Sequence, residues 1–306
     1  MSPAAHVPLG DSLVYIWPIN PDSQTMNPND QVSADYAAQG FCFPLRAMVA
    51  ERALGYRREL ESVEQQARDN PSDINANIWF TNANFVLPFV DEITRLAAIL
   101  EPVKAILGPD VLVWNASFFS KDADSPDFVS WHQDLKYWGL SDIEEVTAWV
   151  ALSPSTVESG CMRVIPGSHK RELAAHKDTF SDVNMLSRGQ ELAVDVDESE
   201  AVDIELRPGE FSLHHGRLFH ASRPNRSADR RIGLAIRYIS PAMSQRDGIK
   251  TYAHLVAGED HHGHFHLLSP PQGTMAAEDV ETALENIRLG EQFFYENAAG
   301  QGKALR

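Results

Sequence analysis

Two short stretches, far apart in the chain, carry side chains able to hold a transition metal. One is Trp131-His132-Gln133-Asp134; the other runs His214-His215-Gly216-Arg217-Leu218-Phe219-His220. In an extended segment, residues i and i+2 face the same way, so His132 and Asp134 can reach one point with an imidazole nitrogen and a carboxylate oxygen. His220 offers a second imidazole. Two histidines and a carboxylate on one face of an octahedron leave positions open for a bidentate keto acid and O2, the ligand pattern of non-haem Fe(II) oxygenases. Arg231 follows His220 by eleven residues, and its planar fork grips carboxylates bidentately. The distal end of 2-oxoglutarate requires such a grip.

Each of these residues has a competing reading. His132 and Asp134 also fit a surface loop or core hydrogen bonds. His214 and His215 compete with His220, but only His220 has the eleven-residue spacing to Arg231. Arg230 exchanges roles with Arg231 if a bulge intervenes. Strand alternation puts Arg231, Gly233, Ala235 and Arg237 on one small, cationic face, and Ile232, Leu234, Ile236 and Tyr238 on an apolar one. The first face leaves room for a co-substrate inside a barrel, and the second suits a covering layer of helices. Arg237 meets either an anionic substrate group or a structural carboxylate, and Arg163 and His169 are weaker candidates of the same kind. The tract Glu259-Asp260-His261-His262-Gly263-His264-Phe265-His266 reads as a loop of solvated or lid-forming histidines, with a second metal site as the competing reading.

Positioning these groups requires strands. Short β-rich runs occupy 111–120, 146–153, 161–165, 191–206, 210–214 and 232–239, punctuated by Pro and Gly. Ahead of them, residues 48–68 and 88–107 show helical spacing, stopped by Asn70-Pro71 and Gly108-Pro109. Residues 1–30 carry five prolines and read as an irregular arm packed through Leu13–Trp17. The stretch 241–275 reads as irregular, and 276–297 as a C-terminal helix with an acidic first turn. Helices followed by many short strands predict an α+β chain with a β-barrel or sandwich core. With no repeat and no linker, residues 1–306 read as one domain whose β core spans 111–240. Residues 170–190 and 241–275 are the expected lid material, whose deletion is expected to spare iron binding and damage turnover.

The chain resembles the phytanoyl-CoA dioxygenase superfamily of Fe(II)/2-oxoglutarate enzymes. The resemblance rests on Trp-His-Gln-Asp-Leu-Lys-Tyr-Trp (131–138), Val-Thr-Ala-Trp-Val-Ala-Leu (146–152) and Ser-Gly-Cys-Met-Arg-Val-Ile-Pro-Gly-Ser-His-Lys (159–170). It continues through Leu-Arg-Pro-Gly-Glu (206–210), His214 to Ser227, and Arg-Arg-Ile-Gly-Leu-Ala-Ile-Arg-Tyr (230–238). These motifs stand in order across 111–240; the first 80 residues match poorly. The resemblance implies a double-stranded β-helix, a cupin-like jelly roll, with N-terminal helices packed on its outer face. It maps iron onto His132, Asp134 and His220. The co-substrate clamp maps onto Arg231 with Ser222; Trp149 matches an aromatic wall and Ser117 a further co-substrate contact. As a competing reading, Trp149 is simply core. The implied reaction consumes 2-oxoglutarate and O2 and releases succinate and CO2, with ascorbate as a stimulant. Hydroxylation is the default outcome, because halogenating relatives replace the carboxylate ligand with a small residue and Asp134 occupies that place.

Composition narrows the partners. Forty-three per cent apolar residues with 14 Phe, 7 Tyr and 6 Trp describe a globular chain able to bury a core. A net charge of −17 without a dense basic patch disfavours nucleic acid and anionic membranes, and mildly a large polyanionic substrate. A small-molecule substrate is expected; no motif encodes oligomeric state. Two cysteines, Cys42 and Cys161, are too few for a disulfide framework and suit a cytoplasmic setting. Cys161 reads as a buried small side chain. No cationic start followed by an apolar run marks a secretory signal. Two other classes compete with the oxygenase. A jelly-roll metalloprotein with isomerase or hydrolase chemistry would not need the Arg231 clamp. A non-catalytic binding domain would not need an intact ligand set.

Overall fold

The computed structural model describes residues 27–69, 78–141, 143–179, 181–186 and 189–294. Its helices are α1 (Pro28–Gln39), α2 (Ala50–Asp69), α3 (Ile78–Thr81), α4 (Ala83–Val86), α5 (Pro88–Thr94), α6 (Ala97–Leu107) and α7 (Ala277–Phe294). The strands begin with β1 (Phe41–Arg46), β2 (Val111–Lys121), β3 (Val129–His132), β4 (Glu145–Ala151), β5 (Met162–Val164), β6 (His176–Asp178) and β7 (Gln190–Leu192). They continue as β8 (Val202–Ile204), β9 (Glu210–His214), β10 (His220–Ser222), β11 (Arg231–Ile239), β12 (Tyr252–Ala257) and β13 (His266–Leu267). One sheet has the order β1-β9-β4-β11-β2-β12-β13, antiparallel up to its β12–β13 edge; facing it is a smaller sheet of order β3-β10-β5-β8. This is the expected α+β jelly roll.

The alternation of 231–239 explains the layering. Ile232, Leu234, Ile236 and Tyr238 turn outward and join one core with Leu60, Phe85, Ile93 and Val103 from the helices. The Tyr238 hydroxyl reaches that layer too, donating to the Thr94 carbonyl at 2.8 Å. On the inward face, Trp149, Ala235, Phe41 and Leu218 form a smaller core between the sheets. Gly233 has its place there because a Cβ would stand 1.8 Å from the Trp149 ring. No rotamer of a larger residue avoids that contact, so Gly233→Ala is expected to cost about 1–3 kcal/mol through overpacking. Urea unfolding measures it, and a cost below the range would mean that Trp149 moves freely.

Several elements depart from expectation. Residues 1–26, with the arm and its Leu13–Trp17 anchor, lie outside the described residues, but Pro28 already opens a helix capped by the Asn27 side chain. The 88–107 helix breaks at Arg95-Leu96, where Leu96 is extended and Arg95 donates to Asp91 and to the Leu255 carbonyl. The 191–206 run divides around an acidic 3-10 turn at Glu198–Glu200. Within the supposedly irregular 241–275 stretch, β12 pairs with β2; its buried His254 hid the apolar alternation. The strand β1 lies among the helices in sequence and was not anticipated, nor were the very short β3 and β10.

No helix among the described residues is long and apolar enough to cross a membrane. Cys42 and Cys161 are buried and unpaired.

Candidate active site

His132 ends β3 and His220 opens β10, and the two are cross-strand partners. Their ring centroids stand 4.0 Å apart. Each Nδ1 sits against a carbonyl two residues earlier, Ser130 at 2.8 Å and Leu218 at 2.9 Å. A proton on each Nδ1 donates there and leaves the Nε2 lone pair facing the cavity, the second-shell arrangement that orients metal-binding imidazoles. After Gln133 the chain turns, and Asp134 Oδ1 comes within 3.1 Å of His132 Nε2 and 3.8 Å of His220 Nε2. Gln133 locks that turn: its amide donates to the Arg217 carbonyl and its oxygen accepts from the Ala174 N–H, both at 2.8 Å. Sequence reasoning passed over Gln133, although its place between the two candidate ligands was a signal.

The three donor atoms lie within 4.8 Å of one another, and among the described residues no other trio of His, Cys, Asp or Glu gathers so closely. The His261–His266 tract is mostly exposed, with His262 stacked on His264; it forms no such group. Electrostatics prepare the trio for a cation. Burial opposes charge on Asp134, but the His132 hydrogen bond and the His220, His132 and Arg237 charges outweigh it and hold the carboxyl well below its ordinary range. Burial, then the neighbouring His132, pushes His220 down to about 4. An ionised Asp134 carboxylate and a neutral His220 imidazole therefore coexist at neutral pH, as a divalent metal requires.

His214 and His215 take other places. The His214 ring is 5.2 Å from that of His220 and its Nδ1 has no partner. His215 stacks on Tyr36 and accepts from the Arg217 N–H through Nδ1. Arg231 is 2% exposed, with its guanidinium carbon 5.3 Å from the Trp149 ring centroid. Its Nε and Nη2 are buried without partners, and burial pulls its pKa down to about 10. Arg230 turns outward to Glu64 and Asp122, so of the two it is Arg231 that faces the cavity. Ser222 lines the same cavity.

Behind Ser222 is a residue the sequence reading missed. Lys121, cross-strand partner of Arg231, is fully buried and donates to Ser222 Oγ at 2.7 Å and to the Arg223 carbonyl. Burial first, then Arg231, pull its pKa down to about 6. Parity along β2 placed it with Ser117 and Phe119; pairing opposite Arg231 had no local signature. Ser117 itself stands behind Arg237, its Oγ accepting from Nη1 at 2.7 Å. Trp149, Thr147, Ala235 and Arg237 line the cavity with the three metal-site residues.

Two expectations need correction. Arg163 is saturated by Glu198 and Asp203, and His169 packs beneath Gly40 with Nε2 on the Ala37 carbonyl, so neither faces the cavity. The described part of 170–190 is not a detachable lid either, since Ala174 and His176 bond to Gln133. Removing that segment would disturb the metal site along with turnover.

The buried histidines carry a stability consequence away from the metal site. Burial holds His254 at about 4, below the ordinary 6.5, and neither ring nitrogen has a hydrogen-bond partner. A depressed folded pKa means that the unfolded chain binds the proton first. Its contribution is therefore complete above pH 6.5 and lost as pH falls towards 4, by up to ~3 kcal/mol. Urea unfolding of the metal-free protein between pH 7 and 4.5 should show the decline. His254→Leu should make the decline shallower by its share, the other histidines that burial depresses keeping theirs, and an unchanged slope would refute the assignment.

Residues 36–233 match the family model described as phytanoyl-CoA dioxygenase (PhyH). A probable alpha-ketoglutarate-dependent hypophosphite dioxygenase of Stutzerimonas stutzeri is 29% identical over 161 residues, 51% of this chain and 55% of the relative. The chain thus spans about half the length of that curated relative. Among solved structures, the apo form of the non-heme monooxygenase ThoJ superposes with a TM-score of 0.78 at 31% identity, covering 86% of this chain and 97% of ThoJ. CytC3 with Fe(II) and alpha-ketoglutarate shares the fold, with a TM-score of 0.60 at 21% identity over 82% of this chain and 96% of CytC3.

Proposed function

The chain belongs to the phytanoyl-CoA dioxygenase family, and on that footing we propose that it is an Fe(II)- and 2-oxoglutarate-dependent dioxygenase hydroxylating a C–H bond of a small molecule. The observation that carries the reading is the convergence of His132 Nε2, Asp134 Oδ1 and His220 Nε2 in one cavity with a buried guanidinium whose Nε and Nη2 have no protein partner. A non-redox metal site has no use for that guanidinium, and leaving it unpaired in the interior is costly without an incoming anion.

The residues fit the cofactors. When bound, Fe(II) supplies O2 activation coupled to oxidative decarboxylation of 2-oxoglutarate, with the balance R–H + 2-oxoglutarate + O2 → R–OH + succinate + CO2. The protein groups bind, orient and shield. Arg231 takes the distal carboxylate through a charge-assisted fork. Because Ser222 Oγ accepts from Lys121, its own O–H is left to donate to the same carboxylate. Trp149 lies against the Arg231 guanidinium and holds its plane across the cavity. Phe119, Val129 and Met162 complete an apolar wall that keeps bulk water from the reacting centre.

Anaerobic addition of Fe(II) and 2-oxoglutarate, with ascorbate as reductant, should produce the weak metal-to-ligand charge-transfer band of a chelated keto acid. Admitting O2 should then release succinate. Absence of both would rule out the oxygenase.

A further inference from the structure

Among the described residues three arginines are buried: Arg163, Arg231 and Arg237. Arg163 has two carboxylates, and Arg231 faces the co-substrate end of the cavity. Arg237 is 8% exposed and lines the cavity beside the metal-site trio, yet no carboxylate among the described residues comes within ion-pair distance of it. Its hydrogen-bond partners are neutral, and the Asp134 and Glu145 carboxyls act on it only at longer range. Nη1 donates to Asn115 Oδ1 at 2.9 Å and to Ser117 Oγ at 2.7 Å, and the guanidinium carbon sits 5.5 Å from the Trp138 ring centroid. These contacts fix the plane of the fork and leave Nε and Nη2 without a hydrogen bond.

The neighbouring strands extend this into a layer. Arg237 is the register partner of Asn115 on β2 and of Thr147 on β4, and Thr147 is the partner of His214 on β9. Directly opposed residues share a face, and Arg237, Thr147 and His214 all line the cavity, while Asn115 turns its amide to the Thr81 carbonyl. Thr147 Oγ1 and His214 Nδ1 are buried with no partner. One row thus holds a rigid guanidinium and two unsatisfied polar atoms around one space. Arg237 lies six positions beyond Arg231 along β11, roughly 20 Å at the strand rise, so the two forks serve opposite ends of the cavity. Charge counts the same way. With Fe(II) and 2-oxoglutarate bound and Glu145 protonated, as burial's push to about 8 leaves it at neutral pH, the metal, Arg231 and Arg237 outweigh Asp134 and the co-substrate dianion by one positive charge, or by two if Lys121 is protonated.

Resting on the oxygenase reading, we propose that Arg237, with Thr147 and His214, anchors a carboxylate or similar small oxyanion of the primary substrate. The molecule hydroxylated is then an anionic one, held by its charged end at the metal side of the barrel. Its target C–H lies a short distance from that anchor.

The test needs no knowledge of the natural substrate. Propionate and methylphosphonate, with propionamide as the uncharged control, are titrated at constant ionic strength into the anaerobic protein loaded with Fe(II) and 2-oxoglutarate. Heat is read by calorimetry and the charge-transfer band in parallel. At least one of the two anions should bind and perturb the band, and propionamide should not bind. Arg237→Gln should weaken anion binding roughly tenfold or more, the loss of one charge-assisted contact, while Arg237→Lys keeps part of it. Affinity for 2-oxoglutarate should change little in either variant. Propionamide binding as well as propionate, or neither anion binding, would overturn the proposal without any variant. A tenfold loss of 2-oxoglutarate affinity in Arg237→Gln would also overturn it, by assigning Arg237 to the co-substrate. Anion binding that depends on Arg237 in a wild-type protein showing no band would support the anion site and sink the oxygenase reading instead.

Discussion

His220→Ala should abolish the charge-transfer band and succinate release, while His262→Ala leaves both intact. Removing even an outer partner of a metal ligand costs about 10–100-fold in affinity or activity, so loss of the ligand itself is expected to exceed the upper figure. The geometry gives no substitute. His214 is the adjacent ring, but it stands on β9 in the opposite sheet, 5.2 Å from the His220 centroid. The metal-facing trio is built by one cross-strand pair and one turn. Loss of a ring from that pair leaves His132 and Asp134 with only two donors. Far-ultraviolet circular dichroism should be unchanged, because the His220 backbone still pairs with β3 and β5. Band formation in His220→Ala, or its loss in His262→Ala, would move the metal to another site.

The legible parts of this molecule were the ones with a local signature. Alternation along 231–239 gave the two faces of β11, and the structure puts its apolar face under the helices and its small face inside the barrel. Parity along β4 likewise puts Trp149 and Thr147 in the cavity, opposite Val150 and Leu152 in the outer core. What escaped were relations between distant residues. Nothing near Lys121 says that Arg231 will lie opposite it, and nothing near Thr147 says that Arg237 and His214 will flank it. The strands β3 and β10 are too short for a period to register, and their inward residues are polar because they serve the site. His254 inside β12 broke an apolar pattern in the same way. Arg163 misled for the converse reason: a cation in a family motif looks available until Glu198 and Asp203 are seen to close around it.

Arg231→Gln should separate the clamp from the metal. On the proposed reading its guanidinium takes the distal carboxylate of the co-substrate, and the neutral amide cannot replace a charge-assisted fork. A 2-oxoglutarate KM raised roughly 100-fold is the expected result, about 2.7 kcal/mol, with kcat much less affected because the contact is made equally in ground and transition states. The charge-transfer band should therefore return at high 2-oxoglutarate, whereas no concentration restores it in His220→Ala. Lys121→Met should give a smaller rise, since Lys121 acts through the Ser222 hydroxyl. Stability should move in the opposite direction. In the ligand-free protein the guanidinium is almost wholly buried without an acidic partner, and burial already pulls its pKa down to about 10. Removing that uncompensated charge is expected to raise the unfolding temperature of the ligand-free variant. A variant that loses stability while keeping its 2-oxoglutarate affinity would make Arg231 a structural cation and leave the cavity without a clamp.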